Sequence, residues 1–186
     1  VDDLMTLARV DRPDFVRPAP TDVGRLTDDL LDTLRPLAER RWVVDARADG
    51  VAHLDAQRIA QAVVQLAANA ARHSPDGSTI AIGSETDADG TCRIWVRDEG
   101  EGIALDEQPR IFDRFYRSDK ARNTPGTGLG LAIVAHTASA HGGTVKAANE
   151  PDADVRKRHM SYIRFVKRLG SRDAVSRRFF VIFHYE

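Results

Sequence analysis

The sequence predicts an α/β fold of the two-layer α+β sandwich kind, with a mixed sheet of about five strands covered on one face by three helices. Three observations predict it. Three long stretches, 22–40, 55–73 and 128–140, carry apolar residues at helical spacing. Five short runs rich in β-branched and aromatic residues stand among them: Trp42–Ala46, Val51–Leu54, Ser78–Ser84, Cys92–Asp98 and Thr144–Ala148. The chain of 186 residues, 42% hydrophobic, is large enough to bury a real core as a single domain.

The elements follow in order. Val1 to Val10 reads as helical, and Asp11 to Pro20, with three prolines, as a linker. In the helix expected over Asp22 to Arg40, Val23, Leu26, Leu30, Leu34 and Leu37 form one stripe. Two short strands follow, and then a helix from Asp55 to His73, with Asp55 as its N-cap and Ile59, Val63, Leu66 and Ala70 on one face. Pro75-Asp76-Gly77 is a turn. The strands Ser78–Ser84 and Cys92–Asp98 are joined by an Asp/Gly turn near Asp87 to Gly90. A short helix is expected over Gln108 to Phe115, a third long one over Gly128 to Ala140, and a strand over Thr144 to Ala148.

Composition narrows the function. The net charge of −1 gives no global attraction to nucleic acid. The single cysteine, Cys92, sits in a strand pattern as a buried apolar residue and can form no internal disulfide, which fits a reducing cytoplasm. No apolar run approaches the roughly 20 residues a membrane helix needs, and no signal peptide, metal cluster or internal repeat is apparent.

Three segments carry chemistry. In Gly126-Thr127-Gly128-Leu129-Gly130-Leu131, three glycines at every second position precede an apolar helical run. Side chains are missing where something bulky could approach the backbone, and a helix N-terminus with unpaired N–H groups begins behind them, a natural place for phosphate; a plain flexible loop uses the same pattern. Asp98-Glu99-Gly100-Glu101-Gly102-Ile103 puts a carboxylate at a strand end beside open backbone, where it can accept a hydrogen bond from an exocyclic amine; an acidic turn would look alike. Gln65 and Asn69 stand four apart on one helical face, with Arg72 three residues on. An amide oxygen is a hard donor suited to Mg²⁺, and a guanidinium there could meet phosphate; an ordinary amphipathic helix would also place polar residues outward.

In this order and spacing the segments resemble the ATP-binding catalytic domain of two-component sensor histidine kinases, within the gyrase, Hsp90, histidine kinase and MutL superfamily and its Bergerat-type ATP-binding fold. Asn69 lies in what looks like the N box. Asp98, Gly100 and Gly102 match the first glycine box, Ile111-Phe112-Asp113-Arg114-Phe115-Tyr116-Arg117 the F box, and Gly126, Gly128 and Gly130 the second glycine box. Ala140-His141-Gly142-Gly143-Thr144-Val145 matches the approach to the strand after that helix. The resemblance covers roughly Val1 to Glu150. It divides the chain into a dimerisation-helix remnant and linker (1–20), an ATP-binding catalytic domain (21–150) and an atypical basic segment (151–186).

The resemblance implies roles. Asn69 would hold the Mg²⁺ that bridges the ATP phosphates, and Asp98 would accept from the adenine amino group. Gly100, Gly102 and Ile103 would bring backbone close to the nucleotide. Gly126, Thr127, Gly128, Leu129 and Gly130 would close on the phosphates. Arg72 and His73 stand where the family often has Lys and Tyr. Phe112 and Phe115 would anchor a mobile lid over about Tyr116 to Pro125, core packing being compatible with that task. In hydrolytic members a Glu at the Gln65 position activates water. An amide cannot be a general base, so Gln65 favours transfer over hydrolysis.

None of the six histidines (His53, His73, His136, His141, His159, His184) has the acidic and proline context of a phosphoacceptor. The expectation is an excised domain or one half of a split kinase. Its partners would be a phosphoacceptor-histidine dimerisation domain, on another chain or a missing segment, and a response regulator. The piece would be cytoplasmic, from a parent that is membrane-anchored. The alternatives are a regulatory nucleotide-binding module without transferase activity and an anti-sigma-type serine kinase.

From Asp152 to Glu186 nine Lys/Arg stand against four Asp/Glu. This tail departs from the family pattern of a glycine-containing turn and one last strand. A replaced reading frame, a substitute edge strand pairing with Thr144–Ala148, and a basic arm for a partner or acidic membrane compete as readings. One of the apolar runs, Ser161–Lys167 or Phe179–Phe183, is expected to be a strand on the sheet.

Overall fold

The computed structural model describes residues 15–87, 91–118, 126–150 and 158–166. Asp22 opens the helical layer: its carboxylate accepts from the Arg25 N–H at 2.9 Å and caps α1 (Val23–Leu34). The expected helix to Arg40 stops early. Pro36 cannot extend the ladder, so one 3₁₀ turn, Arg35–Leu37, ends it. Asp55 caps α2 (Ala56–His73) in the same way, accepting from Arg58 N–H at 3.1 Å. The third helix, α3 (Gly130–Ala140), begins two residues later than expected, because Gly128 holds a left-handed φ of +69°.

The main sheet runs β2 (Arg41–Ala46), β4 (Thr79–Thr86), β5 (Thr91–Asp98), β7 (Arg158–Val166), β6 (Thr144–Glu150). The pair β2–β4 is parallel and the other pairs are antiparallel, so the sheet is mixed. A separate two-stranded sheet pairs β1 (Ala19–Asp22) with β3 (Val51–Leu54). The linker reading of Asp11–Pro20 missed β1. Pro20 fits there because a two-stranded ribbon has only edges.

The core explains the layering. Ile80, Ile82, Cys92, Ile94 and Val96 alternate along β4 and β5 and form one buried cluster with apolar residues of all three helices. Ser84, at the end of this row, is fully buried and satisfied: its Oγ accepts from Ala48 N–H at 3.0 Å and lies 2.6 Å from Thr27 Oγ1. Since Thr27 spends its hydroxyl proton on Val23 O, Ser84 is the donor between the two hydroxyls. On the opposite face Trp95 covers Gly83, and Asp45 receives both Arg97 (2.6 and 3.0 Å) and Trp95 Nε1 (3.2 Å).

Two expectations are corrected. Gln108–Phe115 is a chain of turns and not a helix: the N–H groups of Gln108 and Ile111 reach back four residues but those of Arg110 and Asp113 only three, and Pro109 has none to give. The basic segment supplies β7, as expected for Ser161–Val166, but as an inner strand between β5 and β6, not an edge strand. The Val1–Val10 helix, most of the Asp87–Gly90 turn, most of the lid and the Phe179–Phe183 run lie outside the described residues.

Candidate functional site

Helix α2 is the wall on which the sequence motifs meet. Three glycines from two distant loops lie against its C-terminal half, and each can be located by what a Cβ would strike. At Gly130, the start of α3, it would lie 2.5 Å from Gln65 Oε1. At Gly126 it would lie 3.5 Å from an Arg72 guanidinium nitrogen, and at Gly100 2.6 Å from the His73 carbonyl oxygen. Asn69 lies between Gln65 and Arg72 on this helix and is partly exposed. The C-terminal end of α2 is held by Arg40, which donates to Ala71 O at 2.9 Å and Ser74 O at 3.3 Å and pairs with Asp76 at 2.9 Å. A cation there complements the helix dipole.

Asp98 ends β5 and is 5% exposed. Its Oδ1 accepts from Gly100 N–H at 2.7 Å. Burial raises its carboxyl to about 6, against a lowering by that hydrogen bond and a further raise from Glu99. Glu99 turns away and accepts from Thr79 N–H at 3.1 Å. His73, exposed at the end of α2, is pushed below its ordinary value first by the partial burial of its ring and then by Arg72, with Glu101 opposing, which favours the neutral ring. The site therefore sets an acidic group of raised proton affinity beside glycine backbone and the last turn of α2.

The lid-flanking residues behave differently from the expectation. Phe112 is half-buried, but Phe115 is 67% exposed and takes a left-handed φ of +64°. Its ring is mostly exposed. Its N–H donates to Gly128 O at 3.0 Å, and a Cβ on Gly128 would lie 2.9 Å from its carbonyl carbon. Backbone, not packing, holds these two segments together. The next residue, Tyr116, is fixed by its hydroxyl on Glu107 (3.2 Å) and by Arg110 over its ring (4.9 Å). Thr127 is exposed, whereas Leu129 is 1% exposed and packs with Phe15 and Ile133.

Sequence reading missed several contributors. Phe15, in the presumed linker, is 5% exposed, and Arg58 lies over its ring at 4.6 Å. His141 receives the Asp55 N–H on Nε2 at 2.9 Å, so its Nδ1 carries the proton and donates to Thr137 O at 2.8 Å. Asn149 binds Ile103 through both backbone groups. The contacts of Phe15 with Arg58, His141 with Asp55 and Asn149 with Ile103 join residues 43 to 86 positions apart, and no spacing rule announces them. Among the described residues no group of three or more His, Cys, Asp or Glu side chains could hold a metal, and no helix is long and apolar enough to cross a membrane.

Alternate glycines against one helix, followed by a helix N-terminus, define the class: a nucleotide-binding α/β sandwich. The model of the histidine kinase-, DNA gyrase B-, and HSP90-like ATPase family matches residues 54–169, and the chain belongs to that family. The match runs past Glu150, where the resemblance was expected to stop, and takes in β7. The chain is 37% identical over 164 residues to the signal transduction histidine-protein kinase/phosphatase MprB of Mycolicibacterium smegmatis, covering 83% of this chain and 32% of that protein. It is 47% identical over 92 residues to the sensor-like histidine kinase SenX3 of the same organism, covering 48% and 24%. It thus spans a third or less of these two relatives. Among solved structures, the mycobacterial sensor histidine kinase MprB aligns with a TM-score of 0.67 at 28% identity, over 78% of this chain and 97% of that one. Full-length ShkA in complex with AMPPNP aligns with a TM-score of 0.73 at 26% identity, over 88% and 34%. The resemblance to sensor histidine kinase catalytic domains therefore holds.

Proposed function

We propose that this chain binds Mg-ATP and presents the γ-phosphate to a histidine on a separate dimerisation domain, which passes it to a response regulator. The observation that carries the reading is the convergence of Gly100, Gly126 and Gly130 on α2, around Gln65, Asn69, Arg72 and His73. The ShkA neighbour, solved with an ATP analogue, and the kinase names of the relatives support it.

The residues divide the task. Asp98 accepts from the adenine amino group, and Gly100, Gly102 and Ile103 line that end with backbone. Gly126, Thr127, Gly128, Leu129 and Gly130 offer backbone to the phosphates. Arg72 brings positive charge there, and His73 a flat neutral ring. Asn69 fits Mg²⁺: its neutral amide oxygen is a hard donor, and an ion bridging phosphates needs few protein ligands. The ion would neutralise charge on the phosphates. Gln65 can orient a group but cannot deprotonate water, which favours transfer over hydrolysis. Rate then comes from positioning and charge neutralisation.

The test mixes the full chain with the dimerisation domain of a sensor kinase relative and labelled ATP. Acid-labile phosphate on the partner is expected. Nucleotide binding without it would leave a regulatory module, and an acid-stable phosphoserine would indicate a serine kinase.

A further inference from the structure

Asn149 belongs to none of the sequence motifs. It lies on β6, and both it and Asp98 are in register with the same residue of β7, His159. One rung of the sheet thus holds the end of β5 and Asn149, about 10 Å apart across two strand spacings. The chain leaves Asp98, turns through Gly100 and Gly102, and is caught at Ile103 by the Asn149 side chain. Ile103 N–H donates to Oδ1 at 2.9 Å, and Nδ2 donates to Ile103 O at 2.7 Å. A carboxamide carries an acceptor and donors in one plane, so it can satisfy both groups of one residue's backbone. Gly102 makes the room: its φ is +78°, and a Cβ would lie 2.6 Å from Asn149 Oδ1.

We propose that Asn149 is a positioning residue for purine recognition, fixing the 99–103 segment at one spacing from the Asp98 carboxylate. This rests on the nucleotide reading above. The amide is exposed at the edge strand and contributes nothing to the core, so its truncation bears on the loop rather than on the fold.

The experiment titrates ATP and ADP into the full chain and its Asn149→Ala and Asn149→Asp variants, with melting temperatures and hydrogen exchange at the Ile103 amide. Asn149→Ala is expected to bind both nucleotides about ten-fold more weakly, with an unchanged melting temperature and faster exchange at Ile103. Asn149→Asp keeps the acceptor for Ile103 N–H but loses the donor, and should fall between. Wild-type affinity in Asn149→Ala, or unchanged exchange at Ile103, would overturn the proposal. Failure of the wild type to bind either nucleotide would instead sink the nucleotide reading, and the exchange data would still judge the clamp.

Discussion

The Cα of Gly100 is pressed against the carbonyl oxygen of His73, where a Cβ would sit 2.6 Å away. The contact joins the loop after β5 to the last turn of α2. Its glycine is needed for space, not for an unusual backbone angle. Because the obstacle is main chain, it cannot swing aside as a flexible side chain would. Gly100→Ala must therefore displace the loop or the helix end, at a cost of about 1–3 kcal/mol. Nucleotide titration should show affinity lowered at least about ten-fold, and a denaturant melt should show the stability loss. Wild-type behaviour in both would mean that the loop and α2 move independently.

Asp98 links stability to function with opposite signs. Its carboxyl is raised from an ordinary value near 3.8 to about 6, so the folded protein binds the proton more tightly than the unfolded chain. Stability is then greatest below about pH 4 on this account and falls as pH rises to about 6, by about 3 kcal/mol in order of magnitude. Asp98→Asn removes that penalty and keeps an oxygen for Gly100 N–H. The free variant is expected to melt above wild type at pH 7.5, with the gap closing towards pH 4. ATP affinity should fall in the variant, since an NH₂ group can face the adenine amine. Wild-type affinity should also fall below about pH 6 as the carboxylate protonates, a component absent from Asp98→Asn, which reports the titration of the phosphates and His73. A variant that melts lower at pH 7.5 would contradict the burial argument.

Much of this was legible because it is local. Capping by Asp55, the α1 stripe from Val23 to Leu34 and the strands β4 and β5 are properties of adjacent residues, and each appears as read. What failed depended on partners. Pro20 and its neighbours form a strand because β3 pairs with them. Residues 158–166 are an inner strand because β5 and β6 lie on either side, and weak alternation gave no hint of the second neighbour. Gln108–Phe115 has helical composition, but Pro109 interrupts its donors. At the site, the glycine spacings were visible, but not their contacts with Gln65, Arg72 and His73. Phe115 looked like an apolar anchor, and only its φ of +64° and its exposure show that its backbone makes the contact.

Gly83 provides a control away from the site. A Cβ there would lie 2.2 Å from the Trp95 ring, on the face opposite the helices. Trp95 is tied to Asp45, which also holds Arg97, so the ring cannot tilt without loosening that cluster. Gly83→Ala should cost about 1–3 kcal/mol and change tryptophan fluorescence, while nucleotide affinity per folded molecule stays at the wild-type value. A loss of affinity matching Gly100→Ala would show that the open face and the site are coupled.

Asn69→Asp separates metal handling from base recognition. Aspartate still offers a hard oxygen, but it adds negative charge beside the phosphates and donates no hydrogen bond. Phosphoryl transfer to a partner histidine should drop at least about ten-fold, while adenosine, which carries no phosphate, binds as to wild type. Equal losses for adenosine and transfer would mean that Asn69 shapes the purine end instead.

His141 tests how the start of α2 is attached to the end of α3. Its buried ring accepts the Asp55 N–H on Nε2 and donates from Nδ1 to Thr137 O, 86 and 4 residues away in sequence. Both partners are backbone groups at helix ends. A ring without nitrogens would leave the partly buried Asp55 N–H without its acceptor, while Thr137 O would keep the His141 N–H at 3.2 Å. His141→Phe should therefore cost about 1–3 kcal/mol. His141→Gln, with a donor and an acceptor of its own, should recover part of that. The arrangement also distinguishes the two nitrogens: in the ¹⁵N spectrum the protonated one must be Nδ1, because Nε2 faces a donor that cannot turn round. A spectrum showing the Nε2–H tautomer would break the bridge between the cap of α2 and the helix that follows the glycines.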